Sequence, residues 1–191
     1  MKKRYLNLVL LLAVVLGAVL AHDAVGAGTS TTLPIAGYVY RQHFPTSPDA
    51  RDKERTALAD GKINPGPWAY GGWAGVLREG GSPLTIRFNL GTWYLVDRVT
   101  LHYLHKPSDG ITAPSRVEFA VGAPGHEMGE AQSFRDIAVT KTPLQSVTIP
   151  LTQTAGQYVE LTIFNWRGGW TFLSEVSFKG RKSLTGEREG R

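Results

Sequence analysis

The sequence predicts an all-β domain, either a sandwich or a barrel, and two observations lead to that prediction. Clusters of Gly, Pro, Ser and Asp mark turns, for example at 80–83, 107–110 and 122–125. Between the turns, apolar and polar residues alternate with a period of two, which places each apolar set on one face of a strand. Many short strands of this kind, without an internal repeat, are typical of sandwiches and barrels. The alternating apolar sets are Leu84/Ile86/Phe88, Val99/Leu101/Tyr103, Val117/Phe119/Val121, Val147/Ile149/Leu151 and Val159/Leu161/Ile163.

The residues at 1–27 are typical of a secretory signal peptide. Basic residues at 2–4 precede an apolar run over 8–20, and small residues follow. Cleavage is expected after Ala21 or after Ala27. The alternative is an uncleaved anchor, which the apolar run disfavours because a span needs about 20 residues. We therefore expect a secreted, periplasmic or cell-surface protein that contacts a membrane only through this segment, if it is uncleaved.

The rest of the chain is expected to form one domain at 36–180, between a linker at 28–35 and a disordered, charged tail at 181–191. The protein has no cysteine, which fits a bacterial exported protein better than an animal extracellular domain. The formal net charge is +5, yet the segment 22–180 carries 14 basic and 14 acidic residues. Because that segment has no basic stripe, nucleic acid is not an expected partner.

Six segments, in order, resemble discoidin or coagulation-factor type C domains, which are galactose-binding-like. The first contains a Leu-x-Asp-Gly signature, and the last resembles their closing strand with its Trp and Glu. One departure is Asn89, where the family usually has Asp. The resemblance implies a jelly-roll β-sandwich of about eight strands and glycan binding, since bacterial members mostly bind glycans. The segments are 56–61, 84–91, 96–99, 111–119, 157–161 and 170–178.

The resemblance also implies a structural calcium ion. Asp60 and Glu175 match the positions whose side chains supply oxygens in glycan-binding members, and Ala57, Lys62 and Ser174 would then offer backbone carbonyls. Calcium takes six to eight oxygen ligands, so such a mixed set suits it. The alternative is that Asp60 only caps a tight turn and that Glu175 is a solvated strand residue.

Two glycine-rich loops carry the candidate ligand-binding aromatics. Trp68, Tyr70 and Trp166 are the expected ligand contacts, because an aromatic ring can stack on the apolar face of a sugar. Trp73 and Trp170 match positions that the family tends to bury, so they are expected in the core.

His105 and Asp109, with Lys106 between them, follow a predicted strand where glycan-binding relatives often place an Arg or another polar residue. They are the expected polar ligand contacts. His102 lies three residues before His105, so the two side chains point to opposite faces of a strand and a zinc site is not expected.

Signatures of catalysis are missing from the sequence: there is no G-x-S-x-G, no H-E-x-x-H and no cysteine nucleophile. We therefore expect a secreted, non-catalytic carbohydrate-binding module that recognises a glycan or polysaccharide. The alternatives are an adhesion or protein-interaction domain on the same scaffold and a small glycan-active hydrolase, since a fold alone does not decide function.

Overall fold

The computed structural model describes residues 29–41, 52–65, 72–78, 82–135, 137, 139–165 and 169–183. Within these residues the protein is built of strands, with one short 3-10 helix at Pro107–Asp109 and no α-helix. None of these elements is a helix long and apolar enough to cross a membrane. The strands are β1 (Thr31–Thr32), β2 (Gly37–Tyr40), β3 (Ala74–Arg78), β4 (Leu84–Leu104), β5 (Arg116–Gly122), β6 (Gln132–Arg135), β7 (Leu144–Phe164) and β8 (Gly169–Lys182).

Two long strands, β4 and β7, connect the two layers of a sandwich. The first part of β4, at 84–89, pairs with β2 and with the end of β7, whereas β4 from 94 onward pairs with the start of β7 and with β8. The register shifts between these parts, where 90–93 of β4 face a single residue of β7. One layer therefore has the order β2-β4-β7-β5-β6, and the other has β7-β4-β8 with β1 and β3 on the far side of β8. All of the pairings are antiparallel.

The core lies between these layers and contains the alternating residues that the sequence predicts. Of the fifteen residues in those five sets, fourteen are buried and Val147 packs against them partly exposed. Phe88 of one layer meets Phe178 of the other, with ring centroids 5.3 Å apart in an edge-to-face arrangement. The all-β sandwich of about eight strands is therefore confirmed.

The ordered sandwich extends past the domain boundaries that the sequence predicts. The segment expected to be a linker contains β1, which pairs with 179–180 of β8, and Leu33, which is buried. At the other end, β8 runs to Lys182, and the Ser183 amide donates to the Trp93 carbonyl. Two paired residues and one buried side chain are too short a signal for alternation to reveal.

The free edge of β8 has a gap that a loop segment fills. β3 pairs with β8 up to Leu173, and β1 pairs with it from Lys179. Between these points the Val176 amide donates to the Leu58 carbonyl, and the Leu58 side chain is fully buried. The segment 52–65 therefore lies along the middle of β8, at the place where the sequence motif Leu-x-Asp-Gly occurs.

Candidate functional site

A β-bulge in β8 sets up the first candidate site. Glu175 faces His102 of β4, and Leu173 faces Tyr103, so Ser174 has no partner residue in the register. Such a bulge redirects the side chains beside it. Glu175 is buried, whereas the alternative to calcium binding in the sequence analysis made it a solvated strand residue.

The Glu175 carboxylate lies against the loop segment but is left incompletely satisfied. The backbone of Asp60 and Gly61 is close to this carboxylate and favours its charged form. Its Oε2 is buried and has no hydrogen-bond partner among the described residues. Burial, and then the nearby charge of Asp60, raise the pKa of Glu175 to about 7. A cation placed here would compensate both effects.

Ser174, the neighbour of Glu175 in the chain, and Asp60 carry further oxygens of the kind that calcium binds. Ser174 is buried, and within the described part of the chain its hydroxyl has no hydrogen-bond partner. Asp60 is exposed, and its Oδ1 accepts a hydrogen bond from the Lys62 amide, as in an Asx turn. Across the described residues, no three His, Cys, Asp or Glu side chains cluster around one metal position. A calcium ion would therefore need neutral oxygens besides Asp60 and Glu175, which is the mixed set that the resemblance implies with Ala57, Lys62 and Ser174.

The second candidate site begins with the loop that follows β4. The His105 amide donates to the Pro143 carbonyl, and the short 3-10 helix follows. Lys106 Nζ lies 2.7 Å from Asp109 Oδ2, and the Lys106 carbonyl accepts hydrogen bonds from the amides of Asp109 and Ile111. Asp109 thus closes its own loop at the surface.

His105 is half-buried and held in one orientation. Its Nδ1 accepts a hydrogen bond of 3.1 Å from the Ala113 amide. Because Nδ1 acts as an acceptor, the neutral ring carries its proton on Nε2. The loop therefore presents His105 as a hydrogen-bond donor, which suits a hydroxyl ligand.

This loop is tied to the start of β8. The Trp170 amide donates to the Gly110 carbonyl, and the Thr112 amide donates to the Trp170 carbonyl. Asn165, which is 1% exposed, donates through Nδ2 to the Thr112 hydroxyl at 2.5 Å. The end of β7 and the His105 loop are consequently joined by a partly buried polar contact.

A small apolar cluster includes residues of the His105 loop and of the start of β8. Trp73 is 1% exposed, whereas Trp170 is half-buried at the edge of the cluster with its ring 5.8 Å from that of Phe172. The expected burial of Trp73 is confirmed, and Trp170 is covered only in part. The cluster contains Trp73, Leu104, Ile111 and Phe172, with Leu144 and Trp170 against it.

Three of the expected ligand contacts, Trp68, Tyr70 and Trp166, lie outside the described residues. They stay predictions. The described residues that follow them in the chain lie close together, because Trp73 belongs to the apolar cluster against which Trp170 packs. His105 and Asp109 lie on one loop beside that cluster.

Sequence reasoning missed two polar residues that organise these sites. Asn165 links the His105 loop to β8, and Asp52 anchors the segment before Asp60 through four hydrogen bonds. The one available signal for Asp52 was its residue type in a polar segment, since Asp is typical of side chains that cap nearby backbone amides.

No protein-family model matches this sequence, and no curated protein matches it either. Solved structures do match its fold. CpGH89CBM32-5 from Clostridium perfringens, in complex with GalNAc-β-1,3-galactose, is similar with a TM-score of 0.55 and 17% identity. The match covers 78% of this chain and 99% of that one.

Two further solved structures show the same likeness. The C-terminal domain of a chitobiase from Bacteroides fragilis has a TM-score of 0.54 at 17% identity, over 78% of this chain and 97% of that one. Truncated AlyQ, with CBM32 and alginate lyase domains, has a TM-score of 0.53 at 19% identity. The match covers 81% of this chain but only 34% of the truncated AlyQ chain. The discoidin-like, galactose-binding-like fold that the six motifs predict is therefore confirmed.

Proposed function

We propose that this protein is an exported, non-catalytic carbohydrate-binding module. The observation that carries the proposal is the arrangement around His105, where a fixed donor lies on a loop joined to β8 beside the half-buried ring of Trp170. A sugar needs both a surface for its apolar face and donors for its hydroxyls. The loop that carries His105 is bonded through Gly110 and Thr112 to the backbone of Trp170.

The similar solved structures support a glycan as the ligand. Besides CpGH89CBM32-5 with its disaccharide, the CBM32 of AlyQ was solved with 4,5-unsaturated mannuronic acid, and the C. perfringens NanJ module with galactose. These ligands share a ring with several hydroxyls but differ in charge. A glycan is therefore the proposed ligand class, with Trp68, Tyr70 and Trp166 as its proposed stacking partners and Asp109 as a polar contact.

A binding role is favoured over hydrolysis by the state of the carboxylate on this loop. Asp109 is ion-paired with Lys106 at 2.7 Å and accepts a further hydrogen bond from the Ser108 hydroxyl. An acid–base pair in a glycosidase instead needs two carboxylates facing each other across the scissile bond, about 5–10 Å apart. Export is proposed from the basic and apolar segments at 2–4 and 8–20.

We propose a calcium ion as a structural component at Glu175. The buried, unpartnered Oε2 and the nearby Asp60 charge fit a cation. When bound, calcium would neutralise these carboxylates and hold the segment 52–65 against β8. Asp60 and Glu175 would provide the charged ligands, with Ala57, Lys62 and Ser174 as neutral ones.

A glycan array probed with the purified mature protein, with calcium and with chelator, tests the proposed function. We expect the protein to bind a restricted set of glycans and to leave the bound glycans unhydrolysed. Binding to immobilised proteins or lipid vesicles in the absence of any glycan signal would instead support an adhesion domain.

A further inference from the structure

The Asp52 side chain is the most extensively bonded carboxylate in the described part of the chain. Its Oδ1 accepts hydrogen bonds from the backbone amides of Thr56 and Ala57, at 2.9 and 3.1 Å. Its Oδ2 accepts hydrogen bonds from the hydroxyls of Tyr38 and Tyr40, both on β2. One carboxylate therefore fastens the start of the segment 52–65 to the edge strand of the opposite layer.

A chain of contacts leads from this carboxylate to Glu175. The Tyr38 hydroxyl, which donates to Asp52, accepts a hydrogen bond of 3.1 Å from the Leu58 amide. The Leu58 carbonyl in turn accepts a hydrogen bond from Val176, next to Glu175. Leu58 is fully buried, so the chain cannot shift at this point without opening the core.

The next turn of the same segment reaches the candidate cation site. After Leu58, the backbone of Asp60 and Gly61 comes close to the Glu175 carboxylate and favours its charged form. Gly61 has a φ of 76°, a left-handed conformation that favours glycine. The position of this turn relative to Glu175 is therefore determined by how the preceding residues are held.

We infer that Asp52 is a positioning residue for the cation site: it sets calcium affinity by fixing the 56–61 turn against Glu175, without ligating the ion itself. This inference rests on the calcium ion proposed above. Both Asp52 oxygens are already engaged by four donors, which is why a ligand role does not suit it. The buried Oε2 of Glu175 is the atom whose surroundings Asp52 would control.

Asp52→Asn separates positioning from ligation. The new amide keeps the shape and one acceptor oxygen, but its NH2 group would face two tyrosine hydroxyl donors. Calorimetric titration of the calcium-free protein with calcium chloride should give a dissociation constant raised tenfold or more, with the stoichiometry still one ion per chain. Asp60→Ala, which removes a proposed ligand, should abolish stoichiometric binding.

Two further variants, a milder substitution and a control, are needed to interpret this result. Tyr40→Phe removes a single donor from Asp52 and should weaken calcium binding by less than Asp52→Asn, which keeps the test informative if Asp52→Asn does not fold. Glu160→Gln is the matched control, because Glu160 is also a partly buried carboxylate in the sandwich, bound by Arg87 at 2.6 Å on β4. It should leave the calcium affinity unchanged.

Hydrogen exchange at the Leu58 amide gives a readout that needs no metal. In calcium-free protein, exchange at this amide should be faster in Asp52→Asn than in the parent, because the Tyr38 hydroxyl loses the acceptor that orients it. Parent-like calcium affinity in both Asp52→Asn and Tyr40→Phe would overturn the positioning role. A parent protein that binds no calcium would instead refute the proposed ion itself, and the two failures are thereby distinguished.

Discussion

The side-chain amide of Asn165 donates a hydrogen bond to the hydroxyl of Thr112, and both groups lie at the junction of two loops. Asn165 Nδ2 also lies 3.5 Å from the hydroxyl of Thr171 on β8, a buried contact. Thr112 precedes Ala113, whose amide holds His105. A buried amide at the end of β7 therefore helps to determine where the candidate donor points.

Replacing Asn165 by alanine is expected to destabilise the protein by about 1–3 kcal/mol, because the partly buried Thr112 hydroxyl and the buried Thr171 hydroxyl lose a hydrogen-bond donor. Equilibrium unfolding in urea measures the change. Gln132→Ala is a suitable control, since the Gln132 amide bonds to Thr152 at an exposed position and its loss should cost about 0.5 kcal/mol or less. Equal effects of the two variants would show that the Asn165 contact does not join the loops.

Trp73 is expected to behave as a core residue. Truncation to alanine should destabilise the fold by about 3–5 kcal/mol, since it removes a large side chain from a packed cluster. Trp73→Phe should cost much less, because it keeps an aromatic ring in the cluster and the buried indole Nε1 has no hydrogen-bond partner among the residues that the structure describes. The melting temperatures of both variants should be compared with that of Trp170→Ala, in which a half-buried ring is removed. A larger loss of stability in Trp170→Ala than in Trp73→Ala would contradict this account.

Stability should decline steeply in alkaline solution. Burial, and then Asp52, raise the pKa of Tyr40 far above its usual range near 10. Because the folded-state pKa is the higher one, the unfolded chain loses its proton first. The stabilisation is complete below pH 10 and falls by about 1.4 kcal/mol per pH unit above it.

Unfolding free energies measured in denaturant between pH 9 and 11.5 test this dependence. Tyr40→Phe should reduce the slope of this decline by up to about 1.4 kcal/mol per pH unit, since phenylalanine has no hydroxyl proton to lose. An unchanged slope in Tyr40→Phe would show that this hydroxyl ionises equally well in the folded protein.

Calcium should stabilise the parent protein and leave Asp60→Ala unaffected. Mass action gives about 2.7 kcal/mol at a hundredfold excess over the dissociation constant. The melting temperature is expected to fall in chelator and to recover when calcium is added back. No response in protein freed of other metals would exclude the ion.

Local patterning was sufficient to predict the strands but not how they connect. The alternation around Ile86 and Leu101 identified two strands, because side chains that face a common core repeat every second residue. It did not show that both lie on the continuous strand β4, since four residues at 90–93 bulge between them and break the period. Pairing partners that are distant in sequence leave no local signal of this kind.

Only those residues of the candidate sites that belong to recognisable sequence motifs could be predicted. Glu175 and Asp60 followed from a resemblance, whereas the burial of Glu175 depends on a segment arriving from far along the chain. Asn165 and Asp52 act through contacts with residues such as Thr112 and Tyr38. Such long-range pairings are set by tertiary packing, so composition and spacing could not reveal them.

The most direct test of glycan binding at the His105 loop is calorimetric titration of His105→Ala with the strongest glycan from the array. We expect the affinity to fall several-fold or more, because a fixed donor to a sugar hydroxyl contributes about 1 kcal/mol. His126→Ala, the same change at an exposed turn elsewhere, should bind like the parent. If His105→Ala also binds like the parent while remaining folded, the glycan site does not include this loop.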